Sequence, residues 1–356
     1  MTFPFNVYLA ALAGAFVTAL VALPLWRKGC SRVGLVDDPG ERKLHDHPIP
    51  LAGGLAVATG LVVPAVIGIL VFGLPYSAAP GHGAGPPIVP LPQSPPGSLF
   101  DSTTRLLLGY GVNRRTLELG GILFGALGML MVGLLDDRYE LKPAPKFGCQ
   151  LAVAAIVAAA GARITLFVPS IVFSYAITIL WILTVVNAFN FMDNMNGLCA
   201  GVGGISAVCF AAIAGVDGQY LVALLALLTC GALLGFLPYN FPRARVFLGD
   251  SGSHLVGYLL AVLAILPHFY TSKHPHVSAV FLPLLILAVP LADLTQVVIL
   301  RWRSGKPFYV GDTNHLSHRL VRAGLSPKSA VLTLWLCSAL LGALALLDWS
   351  VFVTRR

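Results

Sequence analysis

Ten stretches of about 20 mostly apolar residues divide this chain, near positions 3–25, 53–73, 117–135, 147–162, 168–188, 197–215, 219–238, 252–269, 278–300 and 330–353. A run of that length is what an α-helix needs to cross a bilayer. Together the ten consume about 200 of the 356 residues, leaving only short loops and no room for a separate soluble domain. Lipid excludes an open sheet, because unpaired backbone groups find no water in hydrocarbon. The runs are also too long and too uniformly apolar for barrel strands. The expected fold is therefore all-α, a polytopic integral membrane protein of about 10 transmembrane helices forming a single unit over residues 1–356.

A net charge of +8 could suggest a nucleic-acid partner, but the placement of the charge argues against one. With the N-terminus outside, 16 of the 23 Lys and Arg residues fall in the inner segments 27–43, 138–146, 243–245 and 301–328, as the positive-inside rule requires. No Lys or Arg precedes Arg27, so the first apolar run reads as a span and not as a cleavable signal. The six cysteines show no metal spacing and read as thiols that pack as small hydrophobes.

Ten of the 15 acids also fall in the inner segments or at their edges, so one face carries the polar chemistry. Asp293 lies inside a span, where a charge is costly unless it faces protein or water. It reads either as a helix-packing hydrogen bond or as a functional acid. The long outer stretch from Gly73 to Leu117 is rich in Pro, Gly and Ser and suits an extended or mobile segment without its own core, with His82 solvated.

Five inner motifs form a set. In RKLHDHPIPLAGG (42–54), Arg42, Lys43 and His45 offer donors for phosphate oxygens, and Gly53 and Gly54 let a backbone or a ligand approach closely. In GLLDDR (133–138), Asp136 and Asp137 end an apolar helix about 100° apart, so they can serve different partners, one a metal ion and one a proton or lysine. Lys142 and Lys146 follow; helix capping is the simpler alternative. In NAFNFMDNMNGL (187–198), Asn187, Asn190 and Asn194 would share one helical stripe with Asp193 beside them, a polar pocket for a base, a ribose or an amide. In FLGDSGSH (247–254), Asp250 can ligate a hard cation or cap a helix, and the motif alone does not choose. In GDTNHLSHRL (311–320), His315, His318 and Arg319 can converge on one anion if the segment is helical; zinc lacks a third ligand there.

The order of these five motifs resembles the polyprenyl-phosphate N-acetylhexosamine-1-phosphate transferases, glycosyltransferase family 4, over nearly the whole chain. The RK.H..P.P..GG form is closer to the initiating GlcNAc-1-phosphate transferase branch than to phospho-N-acetylmuramoyl-pentapeptide transferase, whose His-His-His-Phe-Glu run is absent. The resemblance implies a single transmembrane catalytic domain in the inner (plasma) membrane, with its active site facing the cytoplasm. It would move a sugar 1-phosphate from a UDP-sugar to polyprenyl phosphate with Mg²⁺, or Mn²⁺ in its place, and release UMP. For residues, it implies Asp136, Asp137, Lys146, His315 and His318 in the chemistry and Asp250 on the metal. It assigns Arg42, Lys43, His45, Asn187, Asn190, Asp193 and Arg319 to the substrates. No nucleic acid is implied, and a homo-oligomer is compatible. Two departures stand out: Asn196 replaces a usual acid, and Ser317 a usual histidine, with Thr313 where Arg is common. The competing class is a transporter or flippase, which would place its charges near the midplane.

Overall fold

The computed structural model describes residues 5–39, 47–72, 115–165, 168–267, 269, 277–307 and 313–354. The Arg42, Lys43 and His45 segment, His82 with most of the outer stretch, and Asp312 lie outside these residues. Each of the ten apolar stretches forms helix: α1 (Phe5–Val33), α2 (Gly53–Phe72), α3 (Thr116–Tyr139), α4 (Pro143–Ala159), α5 (Ile171–Met192), α6 (Leu198–Val216), α7 (Tyr220–Asn240), α8 (Gly249–Ile265), α9 (Leu282–Ile286) with α10 (Ala288–Arg303), and, after the short α11 (Leu316–Arg322), α12 (Pro327–Thr354). Among the described residues, seven helices are long and apolar enough to cross a membrane, and the bent α9–α10 pair brings the number to eight where it is counted as one span. The remaining two, α4 and α8, have 17 residues each, about 25 Å of rise.

The stretch over 278–300 is not one straight span, because the chain turns by 71° between Ile286 and Ala288. Pro290 supplies the cause: it has no N–H for the carbonyl of Ile286 four residues back, and its ring crowds that carbonyl. The freed carbonyl accepts instead from the Ser206 hydroxyl of α6 at 3.4 Å, so no buried acceptor is stranded.

Helix α8 is the axis of the bundle. Every residue from Ser251 to Ala264 is buried, which suits a helix apolar on all sides. Helices α2, α3, α5, α6 and α7 pack around it. Because lipid is as apolar as leucine, close approach and hydrogen bonds hold such helices together. Gly125 and Gly133 of α3 admit Tyr258 and the Asp250–Ser251 backbone, and Gly257 meets Val185, Val186 and Phe189 of α5. The Tyr258 hydroxyl donates to the Ile122 carbonyl (3.0 Å) and the Trp181 indole to that of Ala261 (3.1 Å).

Between α1 and α2 a two-stranded antiparallel ribbon, β1 (Val36–Asp37) with β2 (Ile49–Pro50), leads the chain under α8. Phe247 N donates to the Pro50 carbonyl, and Gly53 N and Gly54 N donate to those of Phe247 and Leu248, each at 3.0 Å. A Cβ on Gly53 would strike Phe236 and Leu248, and one on Gly54 would strike Ser251 and Gly252. The paired glycines thus serve backbone approach and not a ligand. Cys30, Cys199, Cys209 and Cys230 are buried free thiols, as small hydrophobes would be, whereas Cys149 and Cys337 are exposed.

Candidate active site

The C-terminal ends of α3 and α5 and the N-terminal ends of α4 and α8 meet at one end of the bundle, and each brings a polar side chain. Asp136 is buried and accepts from Leu141 N (2.8 Å), while its other oxygen pairs with the Lys146 ammonium of α4 at 2.5 Å. Asp137 points elsewhere, as adjacent helical positions must. Its two oxygens accept from Asp250 N (2.7 Å) and Ser251 N (3.0 Å). Asp137 therefore caps α8 from another helix, supplying what Leu248 at the N-cap position cannot. The adjacent acids thus serve different partners, Asp136 a lysine and Asp137 a helix end, and the cap of α8 is Asp137, which leaves the Asp250 side chain for other contacts. Gly249, which opens α8 at φ 74°, faces the Asp137 carboxylate so closely that a Cβ there would collide with it.

Lys146 ties the ends together. Its ammonium lies 2.5 Å from Asp136 Oδ2, 3.0 Å from Asp250 Oδ2 and 3.4 Å from Asn190 Oδ1. The Asn190 amide in turn donates to Asp250 Oδ1 (2.6 Å) and to Ser253 Oγ (3.0 Å). One turn deeper on α5, Asn187 donates to Gln150 Oε1 (2.9 Å) and to the Leu183 carbonyl (2.8 Å). The Gln150 amide nitrogen lies 3.0 Å from Nε2 of His254, and both residues are fully buried. This polar chain inside the bundle fixes the α4, α5 and α8 faces that carry Lys146, Asn190 and Asp250. Gln150 lies outside every motif, and His254 closes the fourth motif without a role assigned to it from sequence; a polar residue in each of two apolar stretches was the available signal for their pairing.

The asparagine stripe ends sooner than its spacing suggested. Helix α5 stops at Met192 with Asp193 as its C-cap. Asn194 turns away from Asn190, and its side-chain oxygen accepts from the Ser317 hydroxyl at 2.6 Å. Asn196, in the place of the usual acid, donates to the Pro242 carbonyl at 3.4 Å. Asp193 is half-buried, and the loss of water around its carboxyl, with the charges of Asp250 and Asp137 nearby, pushes its pKa up to about 8.

Helix α11 carries the last motif. His315 is its N-cap residue and is buried against Asp293 of α10, with Nδ1 2.7 Å from Asp293 Oδ2. Asp293 Oδ1 accepts from Leu316 N at 2.6 Å. Asp293 thus makes hydrogen bonds between elements, as one of its two readings had it, and through them anchors this loop to α10. One turn along α10, Gln296 donates to the Asn314 carbonyl (2.9 Å) and accepts from Arg319 (2.7 Å). Arg319 is exposed and bound to Gln296, so it does not converge with the two imidazoles, whose ring centroids lie 6.3 Å apart.

The donor set fits a hard divalent cation such as Mg²⁺ or Mn²⁺, since it consists of carboxylate, amide and hydroxyl oxygens. The Lys146 ammonium marks a point on which oxygens of Asp136, Asp250 and Asn190 converge. Among the described residues no three Asp, Glu, His or Cys side chains form a ready-made cage. An ion here would rest on Asp250 and neutral oxygens, leaving other positions to substrate phosphates, as Mg²⁺ sites often do.

Residues 119–268 match the model of glycosyl transferase family 4. The chain is 31% identical over 332 residues to a probable undecaprenyl-phosphate N-acetylglucosaminyl 1-phosphate transferase of Bacillus subtilis, covering 90% of this chain and 79% of that protein. It is 32% identical over 354 residues to the decaprenyl-phosphate N-acetylglucosaminephosphotransferase of Mycobacterium tuberculosis, covering 92% and 79%. Against the undecaprenyl-phosphate alpha-N-acetylglucosaminyl 1-phosphate transferase of Escherichia coli K12 it is 29% identical over 362 residues, covering 96% and 84%. With the convergence of four helix ends on Lys146 and a likeness running nearly end to end, the chain belongs to glycosyl transferase family 4.

Proposed function

We propose that this chain transfers N-acetylhexosamine 1-phosphate, with N-acetylglucosamine as the sugar, from a UDP-sugar to polyprenyl phosphate and releases UMP. The reaction takes place at the cytoplasmic face of the plasma membrane and opens the synthesis of a cell-envelope glycan. The observation that carries this reading is the convergence of Asp136, Asp250 and Asn190 oxygens on the Lys146 ammonium at the basic end of a membrane bundle. The names of the relatives support the sugar and the lipid class.

In the proposed reaction an oxygen of polyprenyl phosphate attacks the β-phosphorus of the UDP-sugar. The bond from that phosphorus to the bridging oxygen breaks, and UMP leaves with the electron pair. Such a displacement needs charge neutralisation and in-line positioning more than covalent help. The acceptor phosphate is already largely ionised at neutral pH, its second pKa being about 6, so proton removal contributes little and direct displacement is favoured. Asp250 and the Asn190 and Ser253 oxygens would hold Mg²⁺, which neutralises the diphosphate when bound. Lys146, His315 and His318, with Arg42, Lys43 and His45 of the preceding inner segment, add donors for phosphate oxygens. Asn187, Asn190 and Asp193 line the nucleotide side.

The test is UMP release by purified protein in detergent with polyprenyl phosphate, Mg²⁺ and a panel of UDP-sugars. Release that requires lipid and metal and is fastest with UDP-N-acetylglucosamine is expected. No release from any sugar in the presence of lipid would overturn the reading.

A further inference from the structure

A carboxylate buried in a span is costly, and apolar side chains of similar size would hold two helices together at lower cost. Asp293 is buried nonetheless, and both its oxygens are engaged with the start of one motif, His315 Nδ1 and Leu316 N. An ionised carboxylate can only accept, so an ionised Asp293 would take the proton of its 2.7 Å contact from His315 Nδ1. The Phe191 ring meets the same imidazole edge-on at 6.1 Å and restricts its plane. Gln296 clamps the flanking residues, Asn314 and Arg319, from one turn further along α10.

We propose that Asp293 is a positioning residue for the phosphoryl transfer: it holds His315 by Nδ1 and thereby leaves Nε2, which donates to a phosphate oxygen when the ring carries both protons, as the nitrogen that meets the phosphates. The inference rests on the reaction proposed above and deepens it. The logic is that of any imidazole whose working nitrogen is chosen by the hydrogen bond at the other. A flexible loop imidazole would have to find its plane and the nitrogen it presents in each turnover; here both are set before substrate arrives.

Asp293→Asn keeps the shape but offers one acceptor oxygen where two donors need one, and its amide group opposes a protonated Nδ1. Its kcat for UMP release is expected to fall about 100-fold, the upper range for an outer partner. The KM for the UDP-sugar should stay within about threefold, because the loss concerns the transition state and not ground-state binding. In a double-mutant cycle, Asp293→Asn added to His315→Gln should cost less than about twofold more, since the acid acts through the imidazole. Costs that multiply would overturn the proposal and leave Asp293 a packing residue. A second measurement needs no turnover and no variant of Asp293. In protein with ¹⁵N-labelled histidine rings, assigned by loss of the His315 signals in His315→Gln, Nδ1 of His315 should be protonated; an unprotonated Nδ1 overturns the pairing. That spectrum decides the matter if Asp293→Asn fails to fold. If the wild type releases no UMP, the reaction falls while the spectrum still judges the pairing.

Discussion

The two halves of the site are built on different principles. The acidic half, Asp136, Asp137, Lys146, Asn190 and Asp250, stands on the ends of four long or fully packed helices, and its members bind one another directly. The basic half around His315 and His318 stands on α11, a helix of seven residues, and is held from outside by Asp293, Gln296 and Asn194. In the first, position follows from packing; in the second, it depends on a few side-chain bonds. Substitutions in the acidic half should therefore remove chemistry and leave the fold, except where a residue is itself a structural cap. Those in the basic half should loosen geometry in proportion to the bond removed.

The largest effect is expected at Asp250. Asp250→Ala should lower Mg²⁺-dependent UMP release by about 10³-fold, in the range for removing a group that stabilises transition-state charge. Its thermal unfolding midpoint without metal should change little. Activity retained with an unchanged Mg²⁺ requirement would mean that the cation is held elsewhere.

Asp137→Ala tests the cap. Losing both acceptors for the α8 amides should destabilise the protein by about 1–2 kcal/mol. Activity should fall with it, because Asp250 is the next residue held. Asp137→Asn, with one acceptor oxygen left, should recover part of both. An Asn variant no better than Ala in thermal unfolding would refute capping as the role of Asp137.

The smallest effect belongs to the basic half. Ser317→Ala removes the bond to Asn194 and should cost about 1 kcal/mol, seen as a rate loss of about three- to tenfold. A loss as large as that of Asp250→Ala would erase the distinction between the halves.

What could be read from the sequence divides along a similar line. The spans were legible because hydropathy is local and one-dimensional, and all ten stretches are helical where described. The bend at Leu287 was not, since Pro290 in an apolar run is compatible with a straight helix until the acceptor it frees finds another donor. Asp137 was singled out by its place beside Asp136, but its partners lie 113 and 114 residues away, beyond any local pattern. Asp293 announced that it needed a partner, and the partner stood in a motif considered separately. Ser317 counted as one imidazole fewer; in three dimensions its hydroxyl is a hook onto Asn194.

The seating of α8 also bears on biosynthesis. The ribosome delivers α1 to α7 before α8, and chains fold as they emerge. Until α8 arrives, the Asp137 carboxylate and the amides of Gln150 and Asn190 flank a slot one helix wide and lack the partners they later have. Such groups are costly in hydrocarbon. They form a socket that selects the late segment: a 17-residue helix, short for independent insertion, is retained because its amides, His254 and Asp250 match what is already waiting. Seating α8 thus completes the acidic half of the site, with α11 and its histidines following later in the chain, so a chain that stops before Gly249 lacks the contacts of Lys146 and Asn190 with Asp250.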